Sequence, residues 1–201
     1  AIADACPAGP PEWEQAGVQM TSDVAPYEKM KLRLLNASHQ GLAYFASLMG
    51  YEYVHDAARD PRIATFLRHY MDREATLTLD PVDGVDLDAY KTELIERFAN
   101  PEVKDTVARL AAETSDRIPK WLLPVIRGRL LEDGDIRCSA AIVASWARYA
   151  EAVGEDGQPI EVVDPLKDQL VPIAQRQREQ PLACIENREL FGDLVDAERF
   201  V

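Results

Sequence analysis

From Pro26 onward, apolar residues recur at three- and four-residue spacing, the period of a helix with one face buried. Met30, Leu34, Leu35, Leu42, Phe45, Ala46 and Met49 form the first stripe, with Gly41 and Gly50 as weak points or close-packing sites. Tyr51 to Ala58 continues helically up to Asp60-Pro61, a cap followed by a first-turn proline. Ile63, Phe66, Leu67, Tyr70 and Met71 mark the helix that follows. Pro81 and Gly84 make Leu79 to Val85 a loop, after which Asp86 or Asp88 caps a helix to Phe98. Asn100-Pro101 ends that helix and restarts another lined by Val103, Val107 and Leu110. Thr114-Ser115-Asp116 breaks the pattern. Beyond Pro119 a long segment runs from Trp121 to Leu131, with Pro124 in its first turn or at a kink.

Ile142, Val143, Trp146 and Tyr149 make Ile136 to Val153 the most apolar stretch, and predict the most buried helix. Asp164-Pro165 opens a helix to about Arg178, and the tail predicts short helices around Leu190 to Leu194 and Glu198 to Val201. Only Val18-Gln19-Met20 and Ile160-Glu161-Val162-Val163 read as strand. Residues 1–25, broken by Pro7, Gly9, Pro10, Pro11 and Gly17, form an extended lead-in with at most a turn at Glu12 to Ala16. No βαβ alternation, G-x-G-x-x-G, P-loop or repeat appears. The pattern predicts an all-α, multi-helix domain over 26–201.

Composition narrows the partners. A chain of 201 residues buries a full core as one domain, or at most two small ones. A net charge of −13 argues against a nucleic-acid backbone or an anionic membrane and favours a small or neutral substrate. No run of eighteen apolar residues spans a membrane, and Ala1 to Val18 lacks the basic and apolar regions of a signal peptide. Starting at Ala1 without an initiator methionine, the chain reads as a processed or excised piece of a longer protein. Cys6, Cys138 and Cys184 are odd in number and far apart, the pattern of reduced thiols in a cytoplasmic protein.

Chemistry concentrates in the first helix. At about 100° per residue, His39 lies about 80° and Asn36 about 140° around from Lys31, so all three can border one cavity. A base, a hydrogen-bonding amide and a polar orienter on one rigid element make a plausible reaction site and also a common helical surface. A lysine on such a helix is usually a snorkelling surface residue; as a base it needs a partly desolvated pocket that favours the neutral amine. Asn36 is a poor mid-helix residue, which fits either a satisfied buried amide or a ligand contact. His55 and His69 lack metal-ligand spacing with His39, and no HExxH or G-x-S-x-G occurs. Arg109 and Arg117 flank the Thr114-Ser115 break as hydroxyl or phosphate ligands or as plain surface charges.

The run Ala25-Pro26-Tyr27-Glu28-Lys29-Met30-Lys31-Leu32-Arg33-Leu34-Leu35-Asn36-Ala37-Ser38-His39 resembles the signature of the polyol-specific long-chain dehydrogenases, the mannitol 2-dehydrogenase and fructuronate reductase family. Gly50-Tyr51-Glu52-Tyr53-Val54-His55, Glu96-Arg97-Phe98-Ala99-Asn100-Pro101, Asp116-Arg117-Ile118-Pro119-Lys120, Ala147-Arg148-Tyr149, Asp164-Pro165 and Phe191-Gly192-Asp193-Leu194 extend the resemblance over nearly the whole chain. It implies a helical C-terminal domain like that of 6-phosphogluconate dehydrogenase, joined in the family to an N-terminal Rossmann domain that binds NAD and is missing here. It further implies Lys31 as metal-independent general acid/base and Asn36 as the amide that steadies negative charge on the reacting oxygen. His39, Arg109 and Arg117 follow as substrate contacts. Asp105-Thr106-Val107-Ala108-Arg109 and Ile118-Pro119-Lys120-Trp121-Leu122-Leu123-Pro124 are similar to the mannitol-type branch, whereas Glu113-Thr114-Ser115 departs from the commoner Asp-Gly-Ser.

Overall fold

The computed structural model describes residues 1–3, 9 and 11–200. Cys6, Pro7, Pro10 and the terminal Val201 lie outside the described residues. Two short strands, β1 (Ile2–Ala3) and β2 (Met20–Thr21), pair in parallel around a 3₁₀ turn at Trp13–Ala16. Helices then follow in close succession: α1 (Ala25–Met30), a π-helical turn (Lys31–Asn36), α2 (Ala37–Leu48), α3 (Val54–Arg59) and α4 (Pro61–Tyr70). A second π-helical turn (Met71–Ala75) and a 3₁₀ turn (Thr76–Thr78) extend α4. The remainder comprises α5 (Leu87–Phe98), α6 (Val107–Leu110), α7 (Thr114–Trp121), α8 (Leu123–Leu131), α9 (Arg137–Tyr149), α10 (Lys167–Gln175) and α11 (Arg188–Phe191). The all-α expectation holds.

α2 runs through the middle of the molecule. Ala37, Ser38, Gln40, Gly41, Leu42, Ala43, Tyr44, Ala46 and Leu48 are all buried, so the helix is covered on nearly every side. It packs on α9 and touches α3, α4, α6 and α7. Gly41 sets the spacing: a Cβ there would stand 3.1 Å from the Cδ1 of the fully buried Ile142 on α9. Gly50, at φ +77, then turns the chain out of the helix.

Sequence periodicity misplaced several junctions, each for an identifiable reason. Tyr51–Tyr53 is not helical, because the left-handed turn at Gly50 leads into an extended Tyr53 that bridges Thr106. The segment after Pro101 does not restart a helix. Asn100 Oδ1 accepts from Glu102 N–H at 3.0 Å in an Asx turn, and Val103 is 62% exposed. Thr114 and Ser115 begin α7 rather than interrupt a pattern, since the Asp164 carboxylate caps them from fifty residues away. It accepts from Thr114 Oγ1 (2.7 Å), Ser115 N (2.8 Å) and Ser115 Oγ (2.6 Å). Ile160–Val163 forms no ladder; its polar backbone is spent on single bonds to Ala152 and Glu113. Residues 198–200 form a turn, not a helix.

A second remote cap starts α9. Glu74, 1% exposed in the second π-helical turn, accepts from Cys138 N (2.5 Å), Ser139 N (2.8 Å) and Ser139 Oγ (2.5 Å). A buried carboxylate at a helix N-terminus meets both the orphan N–H groups and the positive end of the dipole. Burial pushes the Cys138 thiol up to about 11, with Glu74 adding to the shift, which leaves it protonated and unreactive at neutral pH. Glu74→Ala would abandon these buried donors at about 1–3 kcal/mol each. A loss of about 3 kcal/mol or more in urea unfolding is expected, with Glu74→Gln milder; a loss below about 1 kcal/mol would contradict the cap.

Candidate functional site

Lys31 opens the π-helical turn and Asn36 closes it. Here the Ala37 N–H reaches back five residues to Leu32 O, so each residue turns less about the axis than in an α-helix. Asn36 is thereby swung toward the Lys31 side, closer than the α-helical spacing implies. The turn is braced from the second π-helical region. Tyr70 Oη donates to Arg33 O at 3.1 Å, and the Arg33 guanidinium donates to Thr78 O at 2.5 Å.

Lys31 is exposed, whereas Asn36 is 8% exposed and its Oδ1 is sealed off without a protein partner among the described residues. One turn further, the His39 ring lies against Phe98 with centroids 4.2 Å apart. Both line a cleft of about 190 Å³ together with His55, Arg97, Asn100 and Asp105. Burial lowers the His39 imidazole to about 4; Asp105 opposes the drop, and Arg109, Lys31 and Arg97 add to it. His39 is therefore neutral at pH 7, able to donate from one ring nitrogen and accept on the other.

Arg109 stands beside this cleft. Its guanidinium grips Asp105 through Nε (2.6 Å) and through Nη2, and that hydrogen bond chiefly holds the Asp105 carboxyl below its usual range. Lys31, His39 and Arg109 thus share one electrostatic neighbourhood, with Asn36 on the same helical edge. Arg117 is placed differently. It donates to the C-terminal carbonyls of α6, Leu110 O (3.0 Å) and Arg109 O (3.4 Å), pairs with Glu113 at 3.0 Å, and lies over the Trp121 ring. It does not line the His39 cleft.

Sequence reasoning passed over Asp105, His55, Arg97 and Asn100 as site residues. The i, i+4 spacing of Asp105 and Arg109 was a readable signal. His55 reaches the cleft only because the Tyr53–Thr106 bridge brings the segments around 53 and 106 together. Among the described residues no three His, Cys, Asp or Glu side chains converge as metal ligands, and no helix is long and apolar enough to cross a membrane.

The domain is thus helical, with His39 lining a cleft from the central helix and Lys31 and Asn36 in the π-helical turn that leads into it. The mannitol dehydrogenase C-terminal domain model matches residues 23–201, and the chain belongs to that family. It is 39% identical over 195 residues to mannitol dehydrogenase 2 of Saccharomyces cerevisiae, and 38% identical over 197 residues to mannitol 2-dehydrogenase of Aspergillus fumigatus. Each alignment covers 96% of this chain and 39% of the relative, so the chain spans about two fifths of their length. The solved Pseudomonas fluorescens mannitol 2-dehydrogenase, a ternary complex with NAD and D-mannitol, matches with TM-score 0.88 and 35% identity over 96% of this chain and 39% of that one. A substrate-free D-sorbitol dehydrogenase, 24% identical with TM-score 0.79 over 90% of this chain and 45% of that one, shares the fold.

The state of His39 has a measurable consequence. An unfolded histidine takes its proton near pH 6.5, the folded one only near 4. Neutral burial therefore contributes stability that is complete above about pH 6.5 and is lost as pH falls toward 4, by no more than about 3 kcal/mol. Urea unfolding at pH 7.5 and 4.5 is expected to show a smaller pH dependence in His39→Gln than in the parent; an identical dependence would contradict the assignment.

Proposed function

We propose that this chain is the substrate-binding and catalytic half of an NAD-dependent polyol dehydrogenase, interconverting a sugar alcohol, D-mannitol in first place, with a ketose, D-fructose. A neutral His39 lining the cleft, with Lys31 close enough to act on its charge and Asn36 in the same π-helical turn as Lys31, carries the reading. Family membership and the mannitol-named relatives support it.

In this reading Lys31 takes the hydroxyl proton from the carbon being oxidised, and in reduction returns it to the carbonyl oxygen. Asn36 donates an amide N–H to that oxygen as negative charge grows on it, worth about 10²–10³-fold for one well-placed donor. His39 and Arg109 hold the remaining hydroxyls, and Arg117, bonded to the Arg109 carbonyl, sets where Arg109 stands. NAD, when bound, supplies the acceptor for the hydride. The chain spans about two fifths of its relatives, one of them solved as a complex with NAD, so the dinucleotide is assigned to a separate Rossmann domain outside these residues.

That domain has a second task. Lysine is a base only as the neutral amine, and water favours its charged form. Lys31 is exposed in this chain, so the cover that excludes water has to come from the docked dinucleotide-binding half. With proton transfer on a lysine and charge stabilisation on an amide, the scheme needs no metal. Its cytoplasmic setting is part of the same proposal, consistent with the free thiols of Cys138 and Cys184.

A direct test assays the full-length protein with mannitol, arabinitol, sorbitol, fructose and fructuronate, using NAD and NADP, with and without chelator. The expected result is NAD-linked mannitol oxidation unaffected by chelator. Preferred reduction of fructuronate would move the chain to the uronate branch, and no turnover of any substrate would identify a non-catalytic helical module.

A further inference from the structure

Two buried polar atoms at the start of the central helix, one in the turn that leads into it, are each other's complement. Asn36 Oδ1 lacks a donor and Gln40 Nε2 lacks an acceptor among the described residues. Gln40 is fully buried and Asn36 nearly so. They stand one helical turn apart, the i, i+4 relation in which a glutamine and an asparagine side chain face each other. Leaving both unpaired costs about 1–3 kcal/mol per group, whereas one hydrogen bond removes both penalties. The terminal torsions of the two amides are broad, so both amide planes are free to turn toward each other.

A third residue sets the direction. Tyr44, a further turn along and fully buried, donates its hydroxyl to Gln40 Oε1 in a short contact. With Oε1 committed to Tyr44, the amine end of Gln40 is the end left for Asn36. Reversing either amide would set two acceptors or two donors face to face. Burial also raises the Tyr44 phenol well above its usual range, which keeps it a donor at any working pH.

We propose that Gln40 is a positioning residue for the reaction. Its Nε2 donates to Asn36 Oδ1 and turns the Asn36 amide so that Nδ2 faces the reacting oxygen. The inference rests on the Asn36 role proposed above. The line Tyr44 to Gln40 to Asn36 is a directional chain that delivers an N–H, not a lone pair, to the place where negative charge develops. Nothing in it touches substrate except Asn36.

The test uses the full-length protein with D-mannitol and NAD, and compares Asn36→Ala, Gln40→Met, Tyr44→Phe and the two double variants with Asn36→Ala. Gln40→Met is expected to lower kcat about tenfold or more while KM for mannitol stays within about threefold, with Tyr44→Phe smaller in the same direction. Both losses should vanish in the Asn36→Ala background, because they act only through Asn36. Parent-like kcat in Gln40→Met and Tyr44→Phe, or losses that persist without Asn36, would overturn the relay. If Gln40→Met does not fold, as thermal unfolding will show, the nearly isosteric Tyr44→Phe decides. An Asn36→Ala enzyme with parent-like kcat would instead overturn the underlying reading of Asn36.

Discussion

Burial of α2 on nearly every side is the constraint on which the rest of the structure depends. A helix that shows one face to water tolerates side-chain motion; one enclosed by α9, α4, α6 and α3 does not. Gly41 against Ile142 brings two helices together at a distance where no other residue fits without displacement. In such surroundings polar side chains are costly, yet the helix and the turn leading into it bury Asn36, Ser38 and Gln40. The proposed site would draw on that rigidity: groups fixed before a substrate arrives need no reordering during a reaction.

The π-helical turn joins this rigid helix to its exposed end. Widening the turn at Lys31–Asn36 loosens the regular ladder just where the lysine leaves the core, and it carries Asn36 toward the same edge. The second π-helical turn, Met71–Ala75, supplies the brace through Tyr70 and the cap on α9 through Glu74. Two irregular turns thus tie α4 and α9 to the site. The cleft itself is closed by the non-helical segment around Asn100–Asp105, whose fold follows from the Asx turn at Asn100 and from the Tyr53–Thr106 bridge.

Much of this was legible in the residues, and the exceptions share a cause. The Asp60 cap, the Asp86 cap, the first-turn Pro124 and the buried stripe of α9 are local signals, read within a few positions of where they act. The caps on α7 and α9 come from Asp164 and Glu74, roughly fifty and sixty-five residues distant, and no window of sequence contains both partners. The same holds for the site. Lys31, Asn36 and His39 are closely spaced and stood out, although their spacing did not disclose the π-helical turn between the first two. His55 and Asp105 join them only through tertiary pairing. Arg117 is the opposite case: its alignment with a basic family position says nothing of the α6 carbonyls that hold it.

At the centre of the account stands Lys31, exposed in this chain yet cast as the proton carrier. The most direct measurement is turnover of Lys31→Ala in the full-length protein, with and without small primary amines in solution. The account predicts a fall in kcat of about 10²–10⁴-fold, unchanged NAD affinity, and partial recovery that rises with the concentration of free amine. Turnover equal to that of the parent would show that the proton travels by another route, and would contradict it.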